Sequence, residues 1–118
     1  MNKVVLIVQL IFFLALLASC CAPMECKPAR LGFSAYKPII LALEKSKIDN
    51  NVYPVSLPEL VPKYLAKIPT SPEQPRPTDV EYEQEKDNYL LKFTYGGPGM
   101  NYCSYRSIKS SWFCTGFY

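Results

Sequence analysis

Cysteine is the residue type in this sequence with the most chemistry to offer. The 118 residues include five cysteines and no histidine. A thiol can be acylated, can pair in a disulfide, or can bind a metal ion as the thiolate. Without histidine the chain lacks the commonest general base and the commonest zinc ligand, and it has no C-x-x-C pair. The sequence therefore predicts no metal site and no cofactor, and it points to covalent modification and disulfides.

The first twenty residues decide how the first of these thiols is used. A short basic start ends at Lys3, and the apolar run from Val4 to Leu17 is broken only by Gln9. This layout is typical of a signal peptide, because a lone helix needs about 20 apolar residues to cross a membrane. An uncleaved single-pass anchor is the alternative, since the weakly polar residues 18–22 could lengthen the run.

The end of this run, Leu17-Ala18-Ser19-Cys20, resembles the lipobox of bacterial lipoproteins at all four positions. The resemblance implies that residues 1–19 are a signal peptide and that Cys20, carrying palmitate-type acyl chains, begins the mature protein. Several acyl chains give stable anchoring, whereas one does not. We therefore expect a lipid-anchored protein of the bacterial cell envelope. Because Cys21 rather than aspartate follows, the outer membrane, facing the periplasm, is the expected location.

With Cys20 assigned to lipid, four cysteines remain in an oxidising compartment, where pairing is the expected state. Cys103 and Cys114 lie in two aromatic-rich segments that we interpret as neighbouring strands, so we predict that they form a disulfide. Closing a loop of this length contributes about 3 kcal/mol in the chain-entropy model. Cys21 and Cys26 either pair within the tether or stay free, and their spacing leaves both open.

Charge and motif content argue against other classes of function. The net charge is +3, from 13 basic and 10 acidic residues, and there is no basic run, so we expect no nucleic-acid partner. The acidic stretch Glu81, Glu83 and Glu85 alternates as the solvent face of a strand does, rather than as a catalytic pair. No nucleophile motif or small-molecule site is indicated, and we predict that the protein is not an enzyme.

One helix is expected to position the globular part. Residues 20–33 contain prolines and a glycine and are predicted to be the lipidated tether, with a single domain over residues 34–118. Apolar spacing predicts a helix from about Ala35 to Asn50, with Ser34 as its N-cap, Pro38 in its first turn and Asn50-Asn51 at its end. After it, Ser56-Leu57-Pro58-Glu59 has the pattern of a capping box.

Strands are expected after a proline-rich loop over residues 70–79. Residues 80–84 and 89–95 have strand patterns, with Asp87-Asn88 between them, and the two cysteine-bearing segments follow. Alternation predicts that one face of the second strand covers the helix through Tyr89, Leu91, Phe93 and Tyr95. The predicted fold is thus α+β, with an N-terminal helix packed on a roughly four-stranded antiparallel sheet and a disulfide stapling its C-terminal hairpin.

The middle of the chain resembles a known family. Tyr53-Pro54, then Leu57, then Leu60-Val61-Pro62-Lys63-Tyr64-Leu65 and Ile68-Pro69 resemble the globular domain of type II secretion major pseudopilins and related type IV pilin-like proteins. The likeness spans about residues 35–95 and implies a pseudopilin-like fold without catalytic residues. It keeps open, as an alternative, a structural subunit of a type II secretion or pilus-like fibre.

Three departures limit the resemblance. The only hydrophobic segment precedes Cys20, whereas a pilin carries a long hydrophobic helix after its cleavage site. The Gly32-Phe33 step looks like a prepilin cleavage site but is not followed by an apolar run. Calcium-binding loops of the family are acidic, whereas residues 96–118 contain no Asp or Glu, so we predict no calcium site.

These patterns favour a non-enzymatic module that binds another envelope component. The candidate surface is the aromatic C-terminal region, presented by the Gly96-Gly97-Pro98-Gly99 loop and the disulfide. Its candidate residues are Tyr102, Tyr105, Trp112 and Phe113. An envelope protein is the partner that we expect there.

Overall fold

The computed structural model describes residues 2–17, 24–71, 78–96 and 101–116. Its helices are α1 (Lys3–Leu17) and α2 (Lys27–Asn50), and its strands are β1 (Glu81–Glu85), β2 (Asn88–Tyr95), β3 (Asn101–Arg106) and β4 (Ser111–Thr115). Short 3-10 helices span Leu57–Leu60 and Ser107–Lys109. The strands form one antiparallel sheet in the order β1-β2-β3-β4, so the predicted α+β architecture is confirmed.

Helix α1 is apolar on all its sides. Its large apolar side chains between Val4 and Leu14 are 47–69% exposed. Among the residues that the structure describes, no helix combines the length and the apolar character needed to span a bilayer.

Helix α2 begins at Lys27, eight residues before the predicted start near Ala35. Its N-cap is Cys26 rather than Ser34, and Pro28 takes the first-turn position, while Pro38 lies exposed inside the helix. The predicted N-cap and the predicted place of Pro38 were therefore wrong. The C-terminal prediction is confirmed, because Asn51 adopts a left-handed conformation (φ 62°) and its N–H donates to the Lys47 carbonyl at 2.8 Å.

The core lies between α2 and the inner face of the sheet. Tyr89, Leu91, Phe93 and Tyr95 of β2 are at most 6% exposed, as the alternation predicted. Opposite them, α2 buries a stripe at helical spacing, from the small residues near its start to Ser46. Tyr36 of α2 and Tyr89 and Phe93 of β2 are the largest fully buried side chains, so aromatic rings from both sides meet in this core.

The segment between α2 and the sheet is tied to both. Leu57 and Leu60 are buried in the core. The predicted capping box forms only in part, because the Ser56 side chain makes no cap and the Glu59 carboxylate accepts from the N–H of Val55 at 3.1 Å. Since Tyr53 is buried at the exit from α2 and its carbonyl accepts from the Gln84 amide at 2.7 Å, this segment is fixed against β1.

Candidate binding surface

The predicted disulfide between Cys103 and Cys114 is confirmed. The two residues face each other directly across β3 and β4, and both are buried against the core. Cys26 is buried and disulfide-bonded. The predicted lipidation site Cys20 and its neighbour Cys21 also lie outside them.

The four aromatic residues of the predicted surface divide between the two faces of the sheet. Tyr105 and Trp112 point inward: Tyr105 is 8% exposed, and the Trp112 ring lies 5.1 Å from the ring of Phe33 and 5.2 Å from that of Phe93. These two are core residues. Tyr102 and Phe113 point outward, and Phe113 is 67% exposed.

The division follows from register and from the two-residue period of a strand. Tyr102 and Tyr105 are three positions apart in β3, and Trp112 and Phe113 are adjacent in β4, so neither pair can share a face. The sequence already contained this information, since the alternation of a strand places these residues on opposite faces. Of the predicted four, only Tyr102 and Phe113 can belong to one outward surface.

This outer face, opposite α2, changes in character across the sheet. Paired positions place Glu81, Lys92, Ser104 and Phe113 in one row across the four strands. The Lys92 ammonium lies 4.9 Å from the centre of the Tyr102 ring, which is cation–π geometry. The face is therefore acidic along β1, basic at Lys92 of β2 and Arg106 of β3, and aromatic at Tyr102 of β3 and Phe113 of β4.

Ion pairs on the outer face are weak. Arg106 lies 3.5 Å from the Glu85 carboxylate, and the two side chains are 50% and 37% exposed. Exposed pairs of this kind contribute about 0–1 kcal/mol, so they leave the charges free to exchange partners. The predicted solvent position of the glutamates in β1 is confirmed for Glu81 and Glu83, which are exposed.

A cluster of tyrosines around Glu44 has geometry that could suggest acid–base chemistry. The hydroxyls of Tyr53 and Tyr89 donate to the Glu44 carboxylate at 3.1 and 3.2 Å. Burial, with the nearby Glu44 charge, raises the pKa of Tyr53 to about 12, and the same causes raise the pKa of Tyr89 well above its usual range. Both phenols are thus held protonated at neutral pH, as hydrogen-bond donors that close the end of the core.

Sequence reasoning missed a shallow groove beside the end of α2. It has a volume of about 480 Å³ and is lined by the exposed apolar side chains of Val52 and Val55 and by polar groups. Most of those polar groups bond to each other: the Tyr64 hydroxyl donates to Asp49 at 3.0 Å and accepts from the Asn50 amide at 3.1 Å. Few donors and acceptors are left for a ligand.

Within residues 2–17, 24–71, 78–96 and 101–116, no group of three or more His, Cys, Asp or Glu residues is placed to hold a metal ion.

No family model, no curated protein and no solved structure matches this chain.

Proposed function

We propose that this chain is a lipid-anchored binding module of the bacterial cell envelope, with no catalytic role of its own. The observation that carries the proposal is the sequence Leu17-Ala18-Ser19-Cys20 at the end of an apolar helix. The large apolar side chains of α1 between Val4 and Leu14 are 47–69% exposed, so this part of the helix has no single face to bury against a small domain. A short apolar helix after a basic start is the layout of a signal peptide.

The binding role is supported by the one-sided sheet. Helix α2 covers the inner face, and the outer face carries Tyr102, Phe113, Lys92 and Arg106 in a mixed aromatic and basic area. Aromatic residues and arginine are the residue types enriched at protein interfaces. We therefore assign the outer face beside β3 and β4 as the surface that meets an envelope protein.

A pseudopilin-like fold is part of the proposal. It is supported by a helix on a four-stranded antiparallel sheet and by the burial of Tyr53, Leu57 and Leu60, which belong to the resembling segment. The fibre-subunit alternative is disfavoured because α2 starts with Lys27 and Arg30 where a pilin has an apolar helix. Charges there would be costly in a packed filament core.

The anchor is tested by the intact mass of the protein extracted from bacterial membranes. We expect a mature chain that begins at Cys20 and carries acyl chains on this residue. Cys20→Ala should abolish acylation and leave an uncleaved precursor, whereas the control Ser19→Ala keeps a small residue beside the cleavage site and should be processed. An unmodified Cys20 or an intact leader on the wild-type protein would refute the anchor.

The binding role needs a separate measurement. The acylated protein is crosslinked in cells and purified under denaturing conditions, and the captured proteins are identified. We expect an envelope protein whose crosslinks map to the outer face of the sheet. If no envelope component is retained by correctly acylated protein, the binding module is the wrong function even though the anchor is right.

A further inference from the structure

The side of α2 that faces away from the sheet carries charge of one sign. Its exposed basic residues are Lys27, Arg30, Lys37 and Lys45. At 3.6 residues per turn, all four lie on the half of the helix opposite the buried stripe. The first acidic residue of α2 is Glu44, so the charged residues within 27–43 are all basic.

These basic residues are not neutralised within the fold. Among the residues that the structure describes, the ion pairs join Lys63 to Asp49 and Arg106 to Glu85, and neither includes a basic residue of this face. The two acidic residues of α2 are engaged elsewhere, because the carboxylates of Glu44 and Asp49 accept hydrogen bonds from tyrosine hydroxyls. The outward face of α2 is therefore free to meet an anionic surface.

Two large aliphatic side chains lie exposed among these charges. Leu41 is 60% exposed and Ile48 is 78% exposed. They are seven residues apart, which is two helical turns or about 10 Å, so both lie on the outward face. Lysine and arginine beside them can lay their apolar stems along the same surface while the charged groups stay in a polar layer. Exposed apolar residues flanked by basic ones are typical of a helix that lies in a membrane interface.

The start of α2 is close to the point at which the chain would meet a membrane. At up to 3.6 Å per residue, Cys26 lies within about 22 Å of Cys20, the proposed acylation site. If the leader is retained, Cys26 lies within about 32 Å of Leu17, where the apolar helix α1 ends. We propose that α2 docks with its outward face on the anionic lipid headgroups of this membrane, with Leu41 and Ile48 directed toward the acyl chains.

Charge and reach together favour lipid as the occupant of this face. Each basic residue near an anionic bilayer raises the docked population about fivefold. Attachment to the membrane keeps the face at a high effective concentration of headgroups, so a weak interaction is enough to orient the domain. The inference rests on the proposed function only in placing the domain at a membrane. Docking through α2 turns the outer face of the sheet, which lies opposite α2, away from the bilayer and toward a partner.

The test is quenching by brominated lipids of a fluorescent amino acid that replaces Leu41, or Phe113 in the control, since Phe113 is similarly exposed (67%) on the outer face of the sheet. The protein expressed from the full chain is purified from bacterial membranes and reconstituted into vesicles of phosphatidylcholine, with or without phosphatidylglycerol. We expect quenching at position 41 that needs phosphatidylglycerol and is weakened by salt, and little quenching at position 113. Absent quenching at position 41, or equal quenching at both positions or in both lipid mixtures, would overturn the docking. The mass of the same sample shows whether the chain carries acyl groups or its leader, and because either form stays in the vesicles, a failure of the anchor is separate from a failure of docking.

Removal of two charges provides the second test. Arg30→Gln with Lys37→Gln should lower the ratio of docked to undocked protein, measured by quenching at position 41, about tenfold or more. The matched control is Lys67→Gln with Lys109→Gln, which changes the net charge equally at exposed residues outside α2 and should leave the ratio unchanged. An unaltered circular dichroism spectrum shows that each variant is folded. A folded Arg30→Gln, Lys37→Gln protein that docks as the wild type does, or an equal loss in the control, contradicts the proposal.

Discussion

Gly32 gives the sharpest test of where the folded part of this protein begins. It lies in α2, in the stretch that the sequence predicted to be tether, and it is buried against β2. A Cβ atom added to Gly32 would come closer than 3.0 Å to three atoms of the Phe93 ring. Gly32→Ala therefore forces a methyl group into an occupied place, if residues 27–33 are packed as the structure has them.

The expected size of the effect follows from two opposed contributions. Replacing glycine by alanine inside a helix stabilises it by about 1 kcal/mol. Inserting a methyl group into a packed core costs about 1–3 kcal/mol. The Phe93 ring cannot move away easily, because the rings of Phe33, Tyr36 and Trp112 surround it at centroid distances of 5.2–6.2 Å. Because the ring is held in place, we expect a cost in the upper part of that range, about 2–3 kcal/mol. The net loss of stability is then about 1–2 kcal/mol, with a fall in Tm of roughly 5–15 °C.

Unfolding of the detergent-solubilised protein can be followed by denaturant titration with Trp112 fluorescence. Trp112 is the only tryptophan and packs on Phe93, so it reports on this contact directly. Gly96→Ala is the matched control, because a Cβ there meets nothing within 4 Å. Phe93→Leu combined with Gly32→Ala should cost less than the sum of the single changes, since a smaller side chain makes room. A Gly32→Ala protein as stable as the wild type, or more stable, would refute the packing of residues 27–33.

Two further perturbations have defined outcomes. Replacing Cys103 and Cys114 together by serine should lower the free energy of unfolding by about 3 kcal/mol or more, because the loop is no longer closed and the buried positions become polar. Calorimetry of the wild-type and variant proteins measures this loss, and an unchanged Tm would contradict the expectation. Alkaline pH should destabilise the fold: the buried phenols (Tyr36, Tyr53 and Tyr82) have their pKa raised to about 12, so their folded state favours the neutral form. Their contribution to the free energy of unfolding is complete below about pH 10 and is lost as the pH rises toward 12. Denaturant midpoints measured as a function of pH test this expectation. If all tyrosines ionise in one step near pH 10 while the protein stays folded, the raised pKa values are contradicted.

The sheet could be predicted from the sequence because its information is local. Tyr89, Leu91, Phe93 and Tyr95 alternate with polar residues, and this period alone determines which side is buried. The turn before β2 was misplaced by one residue, since Lys86 and Asp87 form it and Lys86 takes the left-handed conformation (φ 52°). Lysine is not a residue type that predicts a left-handed turn position.

The first residue of α2 could not be predicted from the local sequence. Its first two turns bury Ala29 and Gly32, whose small size hides them from an apolar stripe and whose contribution depends on a ring from β2. Ser34 is a good N-cap in isolation, and Pro38 normally marks a first turn, so local preference favoured a later start. Long-range packing outweighed both preferences, as it does for most helices in proteins.

The prediction of the binding surface was wrong for two of its four residues, and for a different reason. Tyr105 and Trp112 were grouped with Tyr102 and Phe113 by proximity in sequence and by aromatic character, although strand alternation separates them. The corrected surface is smaller and mixes aromatic with basic side chains. Trp112, the most conspicuous residue for binding, instead holds the inner face of β4 to α2 through Phe33.

The earlier start of α2 also changes how far this domain reaches from a membrane. At up to 3.6 Å per residue, a tether of residues 20–33 could extend by about 47 Å, whereas the stretch from Cys20 to the buried Cys26 spans at most about 22 Å. If Cys20 carries the lipid, the start of α2 is held within that distance of the headgroups. A partner of the outer face must then lie in the same membrane or close above it.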